Sequence, residues 1–297
     1  MFPLSPQYRG YFLTTLAAAA VSVFFIIYKK GLETTTPDVF TLAMYVVGFV
    51  ILFLGNRLKK EKIQLNKTTF WGGVIFALLS VLGHIAIGKS LEGVGPSITT
   101  VILRTQIILV MFLGWLILKE QLNRFLLPGA IVAIAGFIWM NYNGEQKNFA
   151  ELPFYLWGFC AALCFGVSQV MVKAIIHKIN PIIMNLLRSF FGMLALSSFP
   201  GVFSALLELT MIEWTLAGGA ALFGPTLARI LQMYALRYIP VSQAILFSML
   251  TPVFTLLMSW FLLKIFPSSQ QLLGAGIILA GVMIPIVHLT KSKKTTL

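Results

Sequence analysis

Apolar stretches near the length of a bilayer crossing recur from one end of this chain to the other, and no polar segment between them is long enough to fold as a soluble domain. This confines residues 1–297 to a single transmembrane domain. With 58% hydrophobic and 10% charged residues, a water-soluble fold would lack the polar surface to cover its core. The net charge of +13 suggests nucleic acid only until the cations are located. Most lie in short loops beside apolar segments, which is a topology signal, so the lipid bilayer is the expected partner and nucleic acid is not.

Apolar length, punctuated by Pro, Gly and charge, predicts helices near 8–28, 37–55, 69–88, 96–118 and 125–142, then 153–176, 182–203, 214–236, 240–263 and 269–289. Ala17–Ala20 imitates a signal-peptide cleavage region, but the basic residues mostly follow the apolar run, so an uncleaved first helix is expected. Short connections such as Asn143 to Phe149 make neighbouring helices antiparallel. Lys and Arg then divide 14 to 5 between the two sides, the larger share falling with both termini, the Arg57–Lys67 loop and the alternate loops. That excess places both termini in the cytoplasm and requires an even number of crossings, as ten provides. The compact chain suits a bacterial inner membrane, with the oligomeric state open and a homodimer admissible.

Sliding the sequence on itself by 144–145 residues aligns its halves. Lys29 pairs with Lys173, Pro37 with Pro181, Gly48 with Gly192, Ser97 with Ser242, Trp115 with Trp260, Lys119 with Lys264, Gly129 with Gly274 and Gly136 with Gly281. Each unit, 1–145 and 150–297, holds five crossings. Because five is odd, successive units must insert in opposite directions, so the expected fold is all-α, with ten transmembrane helices as two inverted five-helix repeats. Two packings of one such fold, exchanged between the halves, turn an outward-open cavity into an inward-open one.

The segment YALRYIPVSQAIL from Tyr234, the run from Thr251 to Phe254, and LLGAGIILAG from Leu272 resemble the EamA branch of the drug/metabolite transporter superfamily. The first half repeats the pattern more faintly as WLILKE from Trp115 and GAIVAIAG from Gly129. The resemblance covers essentially the whole chain and implies a ten-helix metabolite carrier with cytoplasmic termini. Two positions depart from the family pattern. The acidic residue after the fourth helix is Glu120, but its repeat partner is Ile265; the arginine of the second helix is Arg188, but Met44 stands in the first half.

Three arginines, Arg104, Arg188 and Arg229, fall inside apolar runs, where a cation costs roughly 2.5–3.5 kcal/mol on insertion scales. The nine acidic residues all read as lying in loops or at helix ends, Glu92 among them, so no helix interior offers a fixed counter-ion. Backbone carbonyls, amides, water, snorkelling or an anionic substrate must compensate. Helical spacing puts Thr226, Arg229, Gln232 and Met233 on one face, and Asn185, Arg188 and Ser189 on another. His84 is the repeat equivalent of Arg229, Arg104 follows Thr100 by one turn, and Gln169 and Gln243 add neutral donors and acceptors. The candidate binding residues are therefore Arg229, Arg104, Gln232, Arg188, Asn185, Gln169 and His84.

Each has a plainer reading. Arg188, roughly 10 Å from its helix end at 1.5 Å per residue, suits anchoring or gating. His84 suits a hydrogen bond within the bundle, and Cys160 and Cys164 suit packing rather than a disulfide or metal pair. The tryptophans near crossing ends suit an interfacial belt, and Pro225 and Pro252 suit kinks that expose carbonyls. No metal cluster, phosphate loop or His–carboxylate pair occurs in the expected bilayer region, which argues against an enzyme and implies no cofactor. The sequence thus points to a secondary carrier of a small organic metabolite, anionic or zwitterionic. An exporter of neutral amino acids or hydrophobic compounds, with structural arginines, is the alternative within that class; a channel is the alternative outside it.

Overall fold

The computed structural model describes residues 5–58, 66–121, 124–141, 152–264 and 266–294. The expected connection Asn143 to Phe149, Glu61, Glu145, Glu151 and Ile265 lie outside them, as do the side chains of Ser97 and Thr100. All regular structure among the described residues is helical. The elements are α1 (Pro6–Gly31), α2 (Pro37–Leu58), α3 (Lys67–Leu103), α4 (Gln106–Leu118), α5 (Leu126–Met140), α6 (Leu152–Ile175), α7 (Pro181–Ser197) and α8 (Val202–Leu207). After α9 (Met211–Ala221), a π-helical segment, Leu222–Ala228, leads into α10 (Arg229–Ala235), followed by α11 (Val241–Phe247), α12 (Leu250–Leu263) and α13 (Ser269–Lys294).

Among the described residues, five helices are long and apolar enough to cross a membrane: Pro6–Gly31, Pro37–Arg57, Lys67–Ser90, Leu152–Ile175 and Val241–Phe261. The remaining expected crossings are shorter or broken. The stretch expected at 214–236 comprises α9, the π segment and α10, and even the long Val241–Phe261 span is interrupted, between α11 and α12. The breaks at Arg104–Thr105 and Ser248–Met249 occupy corresponding places in the two halves. Each tightens to an i→i−3 bond, Thr105 N–H to the Ile102 carbonyl at 2.9 Å and Met249 N–H to Leu246 at 3.0 Å.

One expected boundary is absent. Residues 89–95, with Gly93 and Gly95, read as a connection between crossings, yet helical structure runs through them and Pro96, so Glu92 lies within a helix rather than at its end. The segment is bent, because the Ser90 and Thr99 hydroxyls lie 2.9 Å apart, whereas nine residues of straight helix would separate them by about 13 Å. Glycines let the helix turn the corner while keeping its backbone paired.

The helices pack in a pattern that survives exchange of the halves. Contact of α3 with α6 is matched by contact of the α9–α10 stretch with α1, α4 with α6 by α12 with α1, and α3 with α7 by α9 with α2; the pairs α2–α7 and α5–α13 match themselves. At the α5–α13 seam, Gly129 faces the Gly281 backbone and Gly136 faces Gly274. These are four of the six glycines paired by the repeat, contacting reciprocally and antiparallel. At the α2–α7 seam Gly48 faces Ser189 while its repeat partner Gly192 faces Tyr45. Among the described residues, the only non-glycine positive-φ positions are another repeat pair, Lys119 (53°) and Lys264 (57°), each ending a helix. The perimeter is apolar, with Phe12, Trp71, Trp115, Ile131, Leu156 and Phe261 exposed, as a lipid-facing surface requires. Cys160 and Cys164 are free.

A Cβ at Gly281 would lie 2.5 Å from the Ala133 nitrogen and 2.6 Å from the Gly129 oxygen, whereas nothing lies within 4 Å of one at Gly276. Gly281→Ala is expected to destabilise by about 1–3 kcal/mol through overpacking, and Gly276→Ala to change thermal unfolding in detergent little.

Candidate functional site

The site begins with Pro225, which lacks an N–H and cannot sit in a regular ladder, so the chain widens into the π segment around it. That frees the Pro225 carbonyl, which accepts a 2.6 Å hydrogen bond from Asn185 Nδ2. Asn185 Oδ1 in turn accepts from Arg188 Nε at 2.9 Å. The expected α7 face of Asn185, Arg188 and Ser189 is buried against the bundle, with Arg188 only 2% exposed. No snorkelling route leads it to water.

Arg188 and Arg229 share one aromatic ring. Their guanidinium carbons lie 5.3 and 5.4 Å from the centroid of Phe76 on α3, and Arg188 also lies 5.1 Å from the Tyr45 ring on α2. Arg229 Nη1 donates to Gln232 at 3.1 Å, while Arg188 Nη2 is buried without a hydrogen-bond partner. Among the described residues no carboxylate contacts either guanidinium. Cation–π contacts offset part of the desolvation cost, roughly 2 kcal/mol each at best, but neutralise nothing.

The buried polar atoms without partners include Tyr45 Oη, Ser189 Oγ, Thr226 Oγ1 and Gln169 Oε1. His84 packs edge-on against Tyr45 and Phe165, at 6.1 and 5.5 Å, and its Nδ1–H donates to the Ser80 carbonyl at 2.6 Å, which assigns the tautomer. Gln169, Val172, Arg229, Gln232, Met233 and Leu236 line a small recess with room for about one water molecule, far below the roughly 300 Å³ at which ligand pockets usually begin.

The candidates are thus brought together in two linked groups, Asn185 with Arg188 and Gln169 with Arg229 and Gln232, beside His84. Arg104 stands apart: it lies at the helix break, 4.8 Å over Phe137, with Nε buried and unpaired. Gln243 accepts from the Tyr11 hydroxyl at 3.0 Å and serves the α1–α11 contact. Sequence reasoning missed Tyr45 and Phe76. The available signal for Tyr45 was its repeat relation to Ser189. Among the described residues no group of His, Cys, Asp or Glu side chains is arranged to hold a metal.

A clamp adjoins the recess. Lys173 on α6 donates to the Leu236 and Ile239 carbonyls at 2.6 and 2.8 Å. Glu120, beyond α4, accepts from Val241 N–H at 2.7 Å and from the Ser242 N–H and hydroxyl at 3.3 and 2.8 Å. A cation holds the C-terminal end of α10 and an anion caps the N-terminal end of α11, each matching the helix dipole.

An all-helical bundle with an apolar perimeter and cations buried at its centre is a multi-pass membrane protein. The chain belongs to the EamA-like transporter family, whose pattern matches residues 8–142 and again 152–286. It is 25% identical over 273 residues to the "Uncharacterized transporter YoaV" of Bacillus subtilis (strain 168), covering 89% of this chain and 92% of that protein. It is also 25% identical over 271 residues to an "Uncharacterized transporter" of Archaeoglobus fulgidus, covering 88% and 80% respectively. A solved crystal structure aligns with a TM-score of 0.77 at 15% identity over 94% of this chain and 97% of that one, a likeness of fold.

Removing the Glu120 carboxylate leaves three donors at the start of α11 without their acceptor. Glu120→Ala is expected to cost about 1–3 kcal/mol, with Glu120→Gln intermediate because one oxygen remains. Thermal unfolding of the purified variants measures the order.

Proposed function

We propose that the protein is a secondary carrier of a small organic anion or zwitterion, bound between two inverted five-helix repeats, 1–145 and 150–297, and moved by alternating access. The carrying observation is the pair of guanidiniums, Arg188 and Arg229, on one ring with only neutral partners. A carboxylate or phosphate brought by the substrate supplies the missing charge and suits the planar donors of arginine. The reciprocal antiparallel glycine seam supports inversion of the repeats, and the paired helix breaks, in the fourth helix of each half, supply corresponding places to flex. The charge asymmetry supports ten crossings with both termini in the cytoplasm.

In proteoliposomes, carboxylates or phosphate esters are expected to be taken up in preference to cations, and Arg229→Gln to lower that uptake at least tenfold, as for a lost charge-assisted hydrogen bond. Exclusive recognition of organic cations overturns the reading. Retained transport after both Arg229→Gln and Arg104→Gln favours an exporter of neutral compounds with structural arginines.

The partners of Arg188 and Arg229 include no carboxylate that would serve as a proton or sodium site, so exchange or facilitated flux is the expected mode. His84→Gln is expected to retain substrate exchange, and collapsing a proton gradient to leave wild-type exchange unchanged. Loss of proton-driven uptake in His84→Gln, with exchange intact, is the contrary result.

A further inference from the structure

Four buried donors without partners lie on α2, α7 and the π segment, and two of them meet beside Gly48 on α2. Tyr45 Oη, Ser189 Oγ, Thr226 Oγ1 and Arg188 Nη2 are all buried without hydrogen-bond partners, and their residues are 2%, 0%, 7% and 2% exposed. Gly48 locates the gap between two of them: a Cβ built there would lie 3.7 Å from Thr226 Oγ1 and 3.8 Å from Ser189 Oγ, with nothing nearer. Tyr45 is one helical turn away, its ring against the Arg188 guanidinium at 5.1 Å. The one carbonyl released nearby, Pro225, is already occupied by Asn185.

Resting on the carrier reading above, we infer that this cluster is the seat of the substrate's oxyanion group, a carboxylate or phosphate, and that the missing side chain of Gly48 leaves the space for one of its oxygens. Hydroxyls alone would serve a cation or an anion equally. Two guanidiniums against Phe76 exclude the cation, and an ionised oxyanion is an acceptor at every oxygen, as a set of donors requires. Leaving such groups unmade in a low-dielectric interior is costly, so the cluster is matched to a ligand that is present for part of the cycle. Within the site the roles divide: Arg188, oriented by Asn185, grips the charge, while Arg229 with Gln169 and Gln232 borders the small adjoining recess.

Gly48→Ala tests the seat without disturbing the fold, because 3.7 Å is ordinary van der Waals contact. Tyr45→Phe retains the ring against Arg188 and Gly192 and deletes only the hydroxyl. Thermal-shift titration of the purified protein uses acetate, inorganic phosphate, acetamide and tetramethylammonium. Saturable stabilisation by acetate or phosphate, and by neither acetamide nor the cation, is expected, the preferred anion identifying carboxylate or phosphate. Gly48→Ala, unfolding at the wild-type temperature without ligand, is expected to raise the half-maximal concentration at least tenfold, and Tyr45→Phe by about tenfold. Stabilisation that persists unchanged in Gly48→Ala is a general salt effect and overturns the seat, as does a wild type that responds to neither anion. If Gly48→Ala is without effect while Arg229→Gln abolishes the anion response, the seat is wrong and the anion carrier stands. A wild type stabilised by tetramethylammonium alone defeats both.

Discussion

The centre of this protein depends on a carbonyl that a regular helix would have kept for itself. Pro225 forces the π segment, the released oxygen takes the Asn185 amide, and Asn185 orients Arg188. A buried arginine on a straight α7 facing a straight partner would have no such anchor, and its long side chain would reach toward the headgroups. A local backbone defect thereby converts an expensive cation into a fixed one, held near its repeat neighbours with its outer nitrogen still free. Strain and chemistry coincide here because helices in lipid have few other ways to offer an unpaired backbone acceptor.

Around this centre the scaffold is symmetric and the chemistry is not. The glycine seams, the left-handed lysines and the helix breaks recur in both halves, but Arg188 corresponds to Met44, Arg229 to His84, and Glu120 to Ile265. Symmetry in the backbone costs little, whereas symmetry in the charges would place four cations in one apolar interior at prohibitive cost. Glu120 extends the same contrast to the helix connections. Where that carboxylate is present, α11 begins afresh after Pro240 with its amides capped; the corresponding stretch of the first half is a helical corner that leaves no such end to cap.

Much of this was legible from residues alone, for reasons that differ by feature. The repeat was visible because close helix contact tolerates only glycine, so Gly129, Gly136, Gly274 and Gly281 were held to their register. Arg188, Arg229 and Asn185 stood out because polar groups are costly in an apolar run. The corner in α3 was misread because glycine and proline mark a chain break in water, whereas lipid penalises unpaired backbone enough to keep the helix going. Tyr45 and Phe76 were hidden for a different reason. In a chain rich in aromatic residues, a ring carries no mark that distinguishes packing from a contact with a guanidinium, and that distinction arises only when α2, α3 and α7 are brought together. The isolation of Arg104 over Phe137 was equally invisible, since helical spacing orders side chains along one helix and says little about which neighbour they meet.

The clamp and the recess together constrain how the bundle can open. Leu236 borders the recess and gives its carbonyl to Lys173, the residue after Val172, which borders the same recess from α6. Widening the recess by separating α6 from α10 must therefore stretch both bonds from Lys173, and moving α4 away from the same turn must break those to Glu120. All these bonds end on the segment from Leu236 to Ser242, so the turn releases as a unit or remains shut. Each is charge-assisted and worth roughly 1.5–3 kcal/mol at most, less where water competes. Any ligand that opens this turn must bind the open bundle more tightly than the closed one by at least the net strength of these bonds.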